Sequence, residues 1–337
     1  MKSKKSATKN GVQDITKKSI VIDALGGYGF LYSDILDGGI NATHVTLAVH
    51  SYQKMKYVLN EIKRYYSLIE LVPNSIKLVE EVRDIERAKE EGKLGIIFGF
   101  QNACPLEDDV SSLYIFHKLG VRIIQLTYSE ANSLGCGCLE PNDTGLTSFG
   151  IQAVQAMNRL GILVDLSHTG YKTSKKAIEV STEPVCFTHA NPLALKNVPR
   201  NRPDDLISMV AEKGGVIGLV PYASFCKSEP KKRPTIDDFL DGIEYCVELV
   251  GIDHVGIGTD KFEGRTKEEF FLEFQGRYPQ LTTKFEDRHV EGFSTIKDFP
   301  RIIEGLISRG FSAEDCGKII GGNFHSLFRR VWRDPGF

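Results

Sequence analysis

Eight short apolar or β-branched runs recur along the chain, each followed by a longer stretch with apolar residues at three- and four-residue spacing. The runs are residues 19–23 (SIVID), 43–48 (THVTLA), 95–100 (GIIFGF), 121–127 (VRIIQLT), 162–167 (ILVDLS), 184–188 (PVCFT), 215–220 (GVIGLV) and 255–259 (VGIGT). Most are continuous rather than alternating, the pattern of strands buried on both faces of a parallel sheet. The amphipathic stretches predict helices over 51–68, 79–91, 111–119, 148–160, 172–181, 203–212 and 235–250. Gly92, Gly120, Gly161, Gly214 and Gly251 stand where helix gives way to strand, the place of a left-handed cap.

Strand–helix alternation repeated eight times without a break in composition predicts one closed (β/α)8 TIM barrel over residues 19–337. The competing architecture is a doubly wound open sheet. Its only glycine-rich candidate, Leu25-Gly26-Gly27-Tyr28-Gly29, lacks the dinucleotide-binding spacing. Residues 261–294, after the eighth run, form a polar, aromatic-rich excursion too long for an ordinary connection, expected as a lid or dimer contact. Helical patterns over 296–309 and 313–332 close the chain, the second interrupted by Gly321-Gly322-Asn323 as a break or tight packing point. Residues 1–18 are polar and basic and are expected to form a flexible, solvated arm.

Charge removes several classes of partner. Lys and Arg total 42 against 44 Asp and Glu, a net charge of −2, which gives no reason to expect nucleic acid or an anionic membrane. No apolar run approaches the roughly 18 residues that span a bilayer, and the basic N-terminus has no apolar region behind it, so it reads as neither signal peptide nor anchor. Seven cysteines, an odd number scattered through a long chain, predict reduced thiols and a cytoplasmic protein. Cys136 and Cys138 form a lone C-x-C, a poor metal signal.

Parallel barrels build their active sites at the C-terminal ends of the strands. The polar residues at those ends are Asp23, Gln101, Tyr128, His168, His189 and Asp260. Two imidazoles, an aspartate and a glutamine converging on one mouth suggest metal-assisted hydrolysis. A lone strand-end histidine is more often a satisfied hydrogen-bonder than a ligand; two on successive strands weigh more. His117, His254, His289 and His325 read as structural, and of His44 and His50, which border the second run, only His50 is placed to face the mouth.

Five ordered stretches carry a family resemblance: GLTSFGIQAVQAMNRLGILVDLSH (145–168), THANPLALKNVPRN (188–201), GGVIGL (214–219), DHVGIGTD (253–260) and GGNF (321–324). In these the chain resembles the renal-type (membrane) dipeptidases, a branch of the amidohydrolase-like barrels. The resemblance implies a zinc hydrolase of dipeptides or similar small carboxylated amides, commonly a homodimer, in which two ions share a bridging carboxylate. It implies that His168 and His189 bind zinc, that Arg200 grips the substrate carboxylate, and that Asp260 handles the proton of the attacking water.

Three departures stand against the family pattern. Where the first strand of the family ends in a D-G-H-N-D-like motif, this chain reads Asp23-Ala24-Leu25-Gly26-Gly27, so the histidine and second aspartate ligands are gone. The bridging glutamate is Gln101, a weak neutral ligand, and the substrate-binding histidine after the fourth strand is Tyr128. Two imidazoles and an amide oxygen predict at most one zinc ion per chain, with Asp260 able to complete the set. Cys136 and Cys138 are read as bystanders. The alternatives to hydrolysis are a non-catalytic relative that holds a carboxylated ligand through Arg200, and a metal-free lyase or isomerase using Tyr128 or Asp260 as acid or base.

Overall fold

The computed structural model describes residues 9–26, 31–227, 229, 232–262, 266–270 and 284–333. Nine parallel strands form its sheet: β1 (Ile22–Asp23), β2 (Ala42–Thr46), β3 (Ile76–Leu78), β4 (Leu94–Phe100), β5 (Val121–Gln125), β6 (Leu163–Asp165), β7 (Cys186–Phe187), β8 (Val216–Leu219) and β9 (Val255–Ile257). Eight of them run in the order β1-β2-β4-β5-β6-β7-β8-β9, every pair parallel. The ring is completed by main-chain bonds between its two ends: Ala24 N–H donates to Ile257 O at 3.0 Å, and Asp260 N–H to Leu25 O at 2.8 Å. The eight expected strands are therefore the barrel staves. The ninth, β3, was not expected; it pairs only with β4, outside the ring.

Continuous burial follows from this closure, since each stave meets helices outside and other staves' side chains inside; all seven residues of β4 are buried. The outer helices begin and end where local chemistry dictates. Ser148–Leu160 starts at Thr147, whose hydroxyl accepts the Gly150 N–H at 3.0 Å, and stops at Gly161 with φ +72°. Ala153, Val154, Met157 and Leu160, at three- and four-residue spacing, are its buried face. Gly92, Gly120, Gly214 and Gly251 likewise have positive φ.

The last helical segment closes the bottom of the barrel. Asn323 donates to the carbonyls of Ile252 and Val255, both at 2.7 Å. Phe324 and Phe328 then pack with Ile22, Ile97, Ile123, Leu163 and Val216 as a floor. Gly321 is required by proximity: a Cβ there would stand 2.4 Å from Ile20 O. The predicted break is real, with Ala313–Gly317 and Asn323–Val331 separated by a wider turn at Lys318–Gly322. With the floor filled, the polar strand ends open only at the other face.

One expectation changes. Residues 9–18, assigned to a flexible arm, form the helix Lys9–Lys18, and its Val12 and Ile15 are buried. These two apolar positions were too few among polar neighbours to predict it. The excursion after β9 is partly outside the described residues, as are residues 1–8 and Gly27. At its far end Val290 and Phe293 are fully buried.

Candidate active site

The C-terminal ends of β6 and β7 present two histidines face to face. His168 Nε2 stands 3.0 Å from His189 Nε2, both rings buried. His189 is held from behind by Thr188 Oγ1, 2.8 Å from its Nδ1. That hydroxyl donates its one hydrogen to Asp165 Oδ2 at 2.6 Å, so His189 Nδ1 carries the hydrogen and Nε2 keeps its lone pair. His168 Nδ1 meets Ser129 Oγ at 3.1 Å, and Tyr128 stacks on the His168 ring at 4.0 Å. Gln101 reaches the same point from β4, its amide nitrogen 3.3 Å from His189 Nε2.

Asp165 organises this arrangement. Besides Thr188 Oγ1, its carboxylate accepts from Ser167 Oγ at 2.6 Å and from the Ser167 and Thr188 N–H groups, both at 3.0 Å. Burial pushes its carboxyl upward while these four donors pull it down. Burial is the larger influence and the carboxyl lies above the ordinary carboxylate value, with three of the donors converging on Oδ1 and one on Oδ2.

Under the histidines lie two buried guanidinium groups. Arg200 is 1% exposed and donates to the carbonyls of Ser167 and of His189, the latter at 3.1 Å, with Phe225 under its plane at 5.1 Å. Arg202 donates to Thr169, Pro199 and Arg200 carbonyls. Burial, then the Arg200 charge, holds both imidazoles well below the ordinary histidine value, so both are neutral near pH 7, the form that binds metal.

On the far side of the mouth, the end of β1 carries Asp23. It accepts from Thr259 N–H at 2.7 Å and Thr259 Oγ1 at 2.6 Å. Burial pushes its carboxyl up to about 7 against those bonds, and the Asp260 charge adds to the rise. Asp260 itself has φ +49°, an uncommon conformation for a residue with a side chain. Gly26 is confined by Asp23: a Cβ would lie 2.3 Å from Asp23 Oδ2. Leu25 is fully buried and apolar.

The two imidazoles are spaced as a pair that could hold one metal ion. Nitrogens bound to a tetrahedral zinc at about 2.0–2.1 Å stand about 3.3 Å apart, close to the separation of the His168 and His189 nitrogens. Rotating the Gln101 amide would bring its oxygen to the same point. Among the described residues, the end of β1 offers only the Asp23 carboxylate, and no group of three His, Cys, Asp or Glu side chains is placed to hold a metal.

The sequence profile of the membrane dipeptidases (peptidase family M19) matches residues 30–291. The chain belongs to this family. Dipeptidase tcpJ of Claviceps purpurea is 27% identical over 286 residues, 84% of this chain and 62% of that protein. An uncharacterized dipeptidase of Schizosaccharomyces pombe is 33% identical over 220 residues, 64% of this chain and 53% of that one. The chain thus spans less than two thirds of the length of these two relatives. The crystal structure of an amidohydrolase from Pseudomonas aeruginosa superposes with TM-score 0.88 at 36% identity, over 95% of this chain and 99% of that one.

Within this member of the family, the strand-end reading brought together His168, His189, Gln101 and Tyr128. Arg200, expected at the substrate, is turned inward onto main-chain carbonyls. His50 is buried, its ring stacked on Tyr52 at 5.2 Å and edge-on to Tyr128 at 6.5 Å. His44 was not anticipated inside: its Nδ1 donates to Ala24 O at 2.8 Å, and burial lowers it to about 4. Thr188 and Ser129 were missed because hydroxyls are common everywhere in the chain. Asp165 had a visible signal, a lone charge within the apolar run ILVDLS.

Proposed function

We propose that this protein is a metal-dependent hydrolase of the dipeptidase type, acting on a dipeptide or a similar small carboxylated amide, with at most one zinc ion per chain held by His168, His189 and the Gln101 amide oxygen. The observation that carries this reading is the pair of neutral imidazoles converging on one point, their rear nitrogens tied to hydroxyls and one of those to a buried carboxylate. Zinc there supplies Lewis acidity. Asp260, at the rim, takes the proton of the attacking water. Arg200 uses two of its five donors on carbonyls and contributes its charge to the substrate carboxylate. Tyr128 lines the substrate's path beside His168.

Supporting the same reading are the names of the fungal relatives, both dipeptidases. We further place the protein in the cytoplasm, on the strength of seven unpaired cysteines, six of them buried. No helix among the described residues is long and apolar enough to cross a membrane. The homodimer implied by family membership is checked by sizing in solution.

A dipeptide panel assayed with added zinc tests the function. Turnover should be slow, zinc-dependent and lost in His168→Ala. A triple variant, Leu25→His, Gly27→Asp and Gln101→Glu, supplies the family's missing donor types and should raise zinc content toward two. Absence of zinc-dependent hydrolysis of every panel member would overturn the proposal; brisk wild-type turnover would overturn the role given to the missing donors.

A further inference from the structure

At the opposite end of the barrel from the histidines lies a cavity of about 660 Å³. It sits at the N-terminal edge of β5, where Arg122 directly follows the first strand residue, and between the start of helix Val82–Glu90 and the end of helix Asn323–Val331. Six basic side chains border it, Arg83, Arg87, Lys118, Arg122, Arg329 and Arg333, against three carboxylates. Some of this charge is already committed. Arg87 pairs with Glu81 at 3.1 Å and Asp84 at 3.2 Å, Arg329 with Glu86 at 3.1 Å, and Arg333 with Glu183. Arg83 has no acidic partner among the described residues.

Two buried features distinguish this cavity from an ordinary charged surface. Arg122 is 8% exposed, and its guanidinium is fixed by bonds to the carbonyls of Glu80 at 2.7 Å, His117 at 2.8 Å and Val121 at 3.0 Å. Trp332 is 8% exposed and lines the same space, and its indole Nε1–H has no hydrogen-bond partner among the described residues. A buried donor without an acceptor is rare in folded proteins and asks for a ligand. The Trp332 ring cannot easily turn away, being stacked on Phe328 at 4.1 Å and 7°.

We propose that this cavity binds a phosphate-bearing polyanion, at a site separate from the barrel mouth. Guanidinium groups present paired donors that match phosphate oxygens. Arg122 is the fixed anchor, Arg83 the uncommitted cation at the rim, and the Trp332 N–H a third donor. The phosphates belong either to an inorganic polyphosphate or to a nucleotide.

Trp332 is the only tryptophan in the chain, so intrinsic fluorescence reports on the cavity itself. The full-length protein is titrated at low salt with inorganic phosphate, pyrophosphate, ATP and, as a non-phosphate polyanion, citrate, with calorimetry as a second readout. Pyrophosphate and ATP should give saturable responses that weaken with added salt. Arg83→Glu, an exposed change that leaves the fold intact, should reduce affinity about tenfold or more. Equal affinity for pyrophosphate and ATP identifies the inorganic source, and tighter ATP binding the nucleotide. The proposal is overturned by no saturable response in either readout, by citrate binding as well as pyrophosphate, or by unchanged affinity in Arg83→Glu.

Discussion

Replacing Thr188 by valine removes one oxygen and tests whether the network behind His189 serves metal binding or only the fold. The hydroxyl is fully buried and makes three contacts that valine cannot, the 2.6 Å bond to Asp165, the 2.8 Å contact with His189 Nδ1 and a 3.1 Å contact with Ser167 Oγ. A hydrogen bond to a charged group contributes about 1.5–3 kcal/mol, and leaving the imidazole N–H buried and unpaired costs about 1–3 kcal/mol. The added methyl offsets part of this, so a net destabilisation of about 2–4 kcal/mol is expected in urea unfolding. Asp165 keeps three donors. The effect on metal should be separate and larger than the stability loss suggests. Without its partner, the His189 ring is free to turn and to move its hydrogen to Nε2, and loss of such supporting bonds typically weakens metal binding by about 10–100-fold. Zinc affinity is measured by competition with a chromogenic chelator, on folded protein at low denaturant. Thr188→Ser, which keeps the hydroxyl, should retain near wild-type affinity. Valine with lowered stability but unchanged zinc affinity would show that the network serves the fold alone.

Arg200→Lys keeps the charge but has a single ammonium where the carbonyls of Ser167 and His189 need a fork, so the buried charge should shift and KM for dipeptides should rise about tenfold, a difference of about 1.4 kcal/mol; an unchanged KM would remove Arg200 from substrate recognition. Asp23 has its folded-state value raised to about 7 from an ordinary 3.8, so the stability it contributes is complete below about pH 4 and is lost as pH rises toward 7. Between pH 5 and 7 the wild type should therefore lose roughly 1 kcal/mol per pH unit relative to Asp23→Asn, and parallel pH–stability curves for the two proteins would contradict the burial argument.

Most of the barrel was legible because burial on both faces leaves a continuous apolar run, and eight such runs marked the eight staves. The strand Ile76–Leu78 was not, since a three-residue Ile-Lys-Leu pairs on one side only and looks like any turn between helices. At the site, His168, His189 and Gln101 could be found because a polar residue ending an apolar strand has to face the mouth. The direction of Arg200 could not: its side chain lies on a long connection after β7, and whether it reaches the mouth or folds back onto Ser167 and His189 is decided by the course of that connection. His44 shows the same limit from inside the barrel. It sits within a run read as apolar, and the space for its ring exists because residue 99 on the neighbouring strand is glycine, where a Cβ would lie 2.1 Å from His44 Nε2.

The proposed single-ion site is made by two histidines where the family pattern has a pair of ions. Elemental analysis of protein purified without chelator and then dialysed against zinc tests it most directly. At most one tightly held ion per chain is expected, and none in the His168→Ala, His189→Ala double variant. Two equivalents of zinc in the wild type, or one that survives loss of both histidines, would contradict it.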